Sequence, residues 1–263
     1  MTKITLKNIL EKKQQGRKIT MLTAYDYPTA RCLDRAGLDI ILIGDSLANA
    51  VLGLDSTTEI GMDVMVPHAK AVARGVEHAL VVADLPFDAY QPAGADEVKN
   101  ARRLVDEAGC HAVKVEWFQW CDEVVRSLRA VGIEVMGHVG LTPQTAQEFK
   151  VQGRDSSSAQ AIIQQAKLLE EAGCFAIVLE CVPEDLAREI TQSLKVPTIG
   201  IGAGKFCDGQ VLVLHDMLGL TDRKVPKFVK KYTDLSDQIV KAVQLYKEEV
   251  EAGKFPGPEQ SFH

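Results

Sequence analysis

The sequence holds 263 residues, 46% hydrophobic and 25% charged, with a formal net charge of -6 at pH 7. That is the composition of an ordinary globular domain, and its acidic balance excludes the basic footprint of a nucleic-acid binder or an anionic-membrane protein. No run approaches the roughly 20 apolar residues that a bilayer span needs, and the polar start lacks a signal-peptide core, so a cytoplasmic protein acting on small molecules and assembling with copies of itself is expected.

The chain opens on "MTKITLKNILEKKQQGRKIT", a polar and amphipathic N-terminal extension, whose end overlaps a first short apolar run, "ITMLT" (19–23). The further runs are "RAGLDIILIGD" (35–45), "ALVVADLP" (79–86), "EAGCHAVKVE" (107–116), "IEVMGH" (133–138), "EAGCFAIVLE" (171–180), "VPTIGIGAG" (196–204) and "VLVLHD" (211–216). The copies at 107–116 and 171–180 nearly repeat, and 35–45 is a looser third. Each reads as a helix end, a glycine suited to the left-handed position, and a buried strand ending at or near an acidic residue.

Between the runs lie helical patterns such as "AQAIIQQAKLLEEAG" (159–173), with Ile162, Ile163, Ala166 and Leu169 on one stripe and Ser158 as an N-cap. Eight alternating units in about 250 residues predict an α/β fold, a (β/α)8 TIM barrel. A doubly wound sheet fits less well, because no GxGxxG follows the first strand. No linker divides the chain, so residues 1–263 are expected to form a single domain with N-terminal and C-terminal helical extensions. The last helix is expected near 233–251, before the tail "GKFPGPEQSFH". Six cysteines, at 32, 110, 121, 174, 181 and 207, form no CxxC pair and read as reduced packing residues.

Asp45, Asp84, Glu116, His138 and Glu180 fall at or just after predicted strand ends, the rim where barrels carry their active sites. One acidic residue there is most simply a turn former or cap; five polar residues from different strands are not. In "HAVKVEWFQW" (111–120), alternation sends Lys114 and Glu116 to one face and Val113 and Val115 to the other, so the charged pair must point into the barrel. A Lys-Glu ion pair alone would explain it. Three converging carboxylates, however, carry more charge than Lys114 offsets, and hard oxygen donors without clustered Cys or His suit Mg²⁺. Such an ion facing a lysine suits a 2-oxo acid and the enolate formed beside its carbonyl. Glu180 stands where Glu116 stands in the repeat, but with Val178 in place of Lys114, and an apolar setting suits it to act as a general base.

The ordered segments "TAYDYPTA", "IGDSLANAVLG", "DLPF", "VKVE", "GHVGLTPQ", "KVQGR", "LECVP", "IGIGAG", "DGQVLVLHDMLG" and "SFH" resemble the 3-methyl-2-oxobutanoate (ketopantoate) hydroxymethyltransferase family. The resemblance runs from about residue 18 to the end. It implies a cytoplasmic (β/α)8 enzyme of pantothenate biosynthesis, often a homo-oligomeric decamer. The implied reaction moves a one-carbon unit from 5,10-methylenetetrahydrofolate to C3 of 3-methyl-2-oxobutanoate, giving 2-dehydropantoate and tetrahydrofolate. It further implies one Mg²⁺ per subunit on Asp45, Asp84 and Glu116, oxo-acid contacts from Asp45, Ser46, Asp84 and Lys114, and Glu180 as proton acceptor. Two segments depart from the family: Trp117-Phe118 follows Glu116 where glycines are common, and Ala48-Asn49 replaces Gly-Met.

His138 can orient substrate or simply hydrogen-bond at a strand end. Tyr25 and Asp26 can line the mouth, with a capped turn as the plainer account. "GIGAG" (200–204) reads as a tight turn, and the basic stretch 222–232 as a solvated face. The alternative enzyme is another Mg²⁺-dependent 2-oxo acid lyase of the isocitrate-lyase type, and a third reading is a catalytically inert barrel kept for binding.

Overall fold

The computed structural model describes residues 2–91, 94–146 and 148–262, so His263, the last residue of the "SFH" segment, lies outside the described residues. The chain divides into two compact units, Met1–Val213 and Leu214–His263.

The first unit is the expected barrel. Its strands are β1 (Ile19–Thr23), β2 (Ile40–Ile43), β3 (Leu80–Asp84), β4 (Ala112–Glu116), β5 (Val135–Gly140), β6 (Ala176–Glu180), β7 (Thr198–Ile201) and β8 (Gly209–Leu212). They are parallel, neighbour one another in sequence order, and close through pairing of β1 with β8. The helices of this unit are α1 (Leu6–Gln14), α2 (Tyr27–Arg35), α3 (Leu47–Ala50), α4 (Met62–Gly75), α5 (Glu97–Arg102), α6 (Cys121–Ala130), α7 (Ser156–Ala172) and α8 (Glu184–Ser193). The repeat glycines Gly37, Gly109 and Gly173 have φ of 81°, 84° and 107°, the left-handed geometry that lets each chain leave its helix and enter a strand.

Strand alternation builds the interior. Ile19, Met21, Ile40, Leu42, Leu80, Val82, Ala112, Met136, Ala176, Val178, Ile199 and Val211 form one buried cluster, and Ile9 of α1 joins it. Val113 and Val115, on the other face of β4, are buried as well. The same alternation carries every second side chain inward, so Asp84, Lys114, Glu116 and His138 continue the interior rows that Leu80, Val82, Ala112 and Met136 begin.

Three details differ from expectation. Strand β8 ends at Leu212, and Leu214–Leu218 is a helix, α9, so "HD" at 215–216 is helical. A short apolar run carries no period that separates strand from helix. Strands β7 and β8 are joined by residues 202–208 with no helix between them; strands of four residues leave little distance for the connection to retrace. The N-cap of α7 is Asp155, whose side chain accepts from the Ser158 amide, so Ser158 lies inside the helix it was expected to cap.

The second unit holds α9 and α10 (Leu235–Glu251). No residue of α10 is buried, and Ile239, Val243, Tyr246 and Val250 are exposed at spacings that place them along one side. Residues 222–227, in the basic stretch, are exposed. All six cysteines are free, four of them buried. Among the described residues no helix is long and apolar enough to cross a membrane.

Candidate active site

The carboxyl ends of β2 to β6 bring the charged residues together. Asp84 and Glu116 are the last residues of β3 and β4, and Asp84 stands in register with Lys114. Glu116 stands in register with His138, and Gly140 with Glu180. Asp45 follows β2 by two residues and donates its backbone amide to Asp84 Oδ2 at 3.0 Å. Asp45, Asp84, Lys114, Glu116 and His138 are each no more than 5% exposed, whereas the Glu180 side chain keeps 16% of its surface open.

Burying this much charge demands compensation. Lys114 Nζ lies 2.9 Å from Asp84 Oδ1. Burial pulls the Lys114 ammonium toward neutrality, but Asp84, Glu116 and Asp45 outweigh it and hold the amine charged. His138 lies between two acids, its Nδ1 3.3 Å from Glu116 Oε1 and its Nε2 3.3 Å from Glu180 Oε2. Burial and Lys114 lower its pKa, yet Glu116 and Glu180 raise it further, to about 9. Both ring nitrogens therefore face carboxylates, and Glu180 is not in the apolar setting expected from Val178.

Asp45 is left with the charge that the others do not cancel. Burial, then Asp84 and Glu116, drive its carboxyl well above the usual range, against the weaker pull of Lys114 and Gln144. Among the described residues no three His, Cys, Asp or Glu side chains are already set as a metal cage. The donor set nevertheless fits Mg²⁺, which is normally held by one or two carboxylates together with waters and substrate oxygens. Asp84 Oδ1 is buried, and its close contact is the Lys114 ammonium at 2.9 Å, so this oxygen already faces positive charge.

Ser46 is half-buried, its hydroxyl 2.8 Å from that of Tyr25. Tyr25 is itself buried, while Asp26 serves as the N-cap of α2, accepting from the Thr29 amide at 2.8 Å. Beside Glu180, Cys181 holds a φ of 49°, uncommon for a residue with a side chain. Its amide donates to Ile201 O and its carbonyl accepts from the Gln152 amide, which fixes the chain on leaving β6.

A family model described as ketopantoate hydroxymethyltransferase matches residues 3–258. The chain belongs to the ketopantoate hydroxymethyltransferase family. A 3-methyl-2-oxobutanoate hydroxymethyltransferase of Moorella thermoacetica is 54% identical, over 99% of this chain and 98% of that protein. One from Syntrophus aciditrophicus is 53% identical, over 99% and 97%. In fold, the chain is similar to 2,3-dimethylmalate lyase, a member of the PEP mutase/isocitrate lyase superfamily, with a TM-score of 0.62 at 13% identity over 98% of this chain and 93% of that one.

Within this ketopantoate hydroxymethyltransferase barrel, sequence reasoning missed Gln144 and Tyr90. Gln144 Nε2 donates to Asp45 Oδ2 at 2.7 Å and to Leu85 O at 3.0 Å, and its backbone amide donates to Glu116 Oε2 at 2.9 Å. The Tyr90 hydroxyl donates to Gln144 Oε1 at 2.6 Å and accepts from the Glu116 amide at 2.9 Å. The signal available was the position of Gln144 in "GHVGLTPQ", on a long insertion after β5. The Phe118 departure also finds a role here, because its ring packs edge-on against Tyr90 with centroids 5.6 Å apart.

Proposed function

We propose that this chain is a 3-methyl-2-oxobutanoate hydroxymethyltransferase, joining a one-carbon unit from 5,10-methylenetetrahydrofolate to C3 of the oxo acid. One water is consumed, and 2-dehydropantoate and tetrahydrofolate are released. In a chain of this family, the observation that carries the reading is the buried convergence of Asp45, Asp84, Lys114 and Glu116 beside the more open Glu180.

Asp45, Asp84 and Glu116 would hold one Mg²⁺. When bound, the ion supplies positive charge to the carboxylate and keto oxygens of the oxo acid, which makes the C3 proton more acidic. Lys114, kept charged by its neighbours, meets the same end of the substrate, and Asp45, Ser46 and Asp84 complete its contacts. Glu180 takes the proton from C3, and His138 orients it by holding Oε2 at 3.3 Å. Water cleaves the two C–N bonds of the methylene unit, freeing tetrahydrofolate and leaving the carbon at the formaldehyde level; C3 attacks that carbon, and its oxygen takes the proton back to become the product's hydroxyl.

We read residues 1–263 as one cytoplasmic catalytic domain with helical extensions at both ends, the second compact unit, Leu214–His263, being the C-terminal extension. The exposed stripe of Ile239, Val243, Tyr246 and Val250 supports assembly into a homo-oligomer, a decamer by family resemblance. Purified protein incubated with Mg²⁺, 3-methyl-2-oxobutanoate and methylenetetrahydrofolate should form 2-dehydropantoate detectable by mass spectrometry. Absence of product under those conditions overturns the reading.

A further inference from the structure

We infer that Gln144 is the positioning residue of the cation site, setting the Asp45 and Glu116 carboxylates for a divalent ion from a loop that contributes no carboxylate of its own. The inference rests on the proposal that these carboxylates hold Mg²⁺.

Gln144 is only 5% exposed, and every polar atom of its side chain is used. Its Oε1 accepts from the Tyr90 hydroxyl at 2.6 Å and from Gln91 Nε2 at 2.8 Å. Its Nε2 donates to Asp45 Oδ2 at 2.7 Å and to Leu85 O at 3.0 Å. These four contacts fix which way the amide points. Turned over, Oε1 would face Asp45 and the Leu85 carbonyl, two acceptors, while Nε2 would face the Gln91 NH₂. The amide is therefore aimed so that its NH₂ meets the Asp45 carboxylate.

The backbone of the same residue reaches a second carboxylate, Glu116 Oε2, at 2.9 Å. One residue thus ties two of the three proposed ligands, one just after β2 and the other at the end of β4, and leaves Asp84 to Lys114. Its placement depends on Gly140. That glycine has a φ of 97°, and a Cβ there would lie 2.3 Å from Glu180 O, so the turn into Leu141 is open only to glycine. The Leu141 amide then donates to Glu180 O at 2.9 Å, pinning the start of the segment that carries Gln144. Partners of this kind, which orient ligands without binding the ion, commonly contribute 10- to 100-fold in metal affinity.

The test is isothermal titration of Mg²⁺ into wild-type protein and into Gln144→Ala and Gln144→Met, each checked by circular dichroism for an intact fold. The methionine keeps the length of the side chain but cannot donate, so it serves if alanine leaves a disruptive cavity. The expected result is a rise in the Mg²⁺ Kd of about 10- to 100-fold in each folded variant. In turnover assays the Mg²⁺ concentration needed for half-maximal rate should rise in parallel, with kcat at saturating Mg²⁺ changed much less. A merely structural role would lower the melting temperature and leave the Mg²⁺ dependence where it was. Unchanged Mg²⁺ affinity in a folded variant, with wild type binding normally, overturns the role of Gln144 alone. Failure of the wild type to bind Mg²⁺ overturns the metal site itself, and this inference with it.

Discussion

Lys114 Nζ lies 2.9 Å from Asp84 Oδ1, and the two are register partners on adjacent strands with both side chains buried. This contact is the barrel's own answer to the charge it gathers at its mouth. Removing one partner of a buried pair leaves the other uncompensated, at a cost of about 3–5 kcal/mol. Lys114→Met should therefore unfold at distinctly lower temperature than wild type in EDTA, and Mg²⁺ should restore part of the loss. Equal melting of the two proteins in EDTA would show that the lysine does not neutralise the site.

Glu180 is the acid whose side chain remains open to the mouth, at 16% exposure, while His138 holds one of its oxygens. Glu180→Gln keeps the size of the side chain but cannot accept a proton. Exchange of the oxo acid's C3 proton into D₂O, followed by NMR, should slow by about 10²- to 10⁴-fold, with oxo-acid affinity by calorimetry largely intact. Exchange at the wild-type rate would remove Glu180 from the base role.

Gly140 is the hinge on which the Gln144 segment turns. Gly140→Ala forces a Cβ to within 2.3 Å of Glu180 O at a φ of 97°. A loss of about 1–3 kcal/mol in denaturant unfolding is expected from backbone strain alone, together with weaker Mg²⁺ binding. Stability and affinity both at wild-type level would mean that the turn adapts freely.

Far from the mouth, Asp34 accepts three backbone hydrogen bonds, from Glu77 at 3.1 Å, His78 at 3.1 Å and Ala79 at 2.8 Å, and so anchors the entry to β3. Burial raises its pKa, but the three amides outweigh it and the net shift is downward. A depressed carboxyl contributes stability above its unfolded-state pKa and loses it as pH falls through the folded-state value. Asp34→Asn should cost about 1–3 kcal/mol near neutral pH, and the gap to wild type should narrow in acid. A gap independent of pH would assign the effect to packing.

The barrel was legible in the sequence because its cause is periodic. Alternation alone placed Lys114 and Glu116 inward with Ala112, and the repeat glycines marked where helices end at 37, 109 and 173. Where the cause was not periodic, the reading slipped. The run at 211–216 stays apolar across the junction from Leu212 to Leu214, where strand gives way to helix, and Asp155 and Ser158 both offer capping oxygens. Gln144 was invisible for a different reason. Its partners Glu116 and Asp45 lie 28 and 99 residues away in the chain, so no local pattern links them. In the sequence His138 fits either of two roles, because only the fold reveals that both of its nitrogens meet acids.

If the carboxylates at this mouth, once joined by Mg²⁺, prepare C3 of the oxo acid for proton loss to Glu180, loss of that proton must depend on the metal. The most direct measurement is the rate of C3 proton exchange of 3-methyl-2-oxobutanoate in D₂O with wild-type protein, with EDTA and then with Mg²⁺ restored. Exchange should fall to the background rate in EDTA and return on adding Mg²⁺. Exchange that continues undiminished in EDTA would show that proton loss from C3 needs no Mg²⁺.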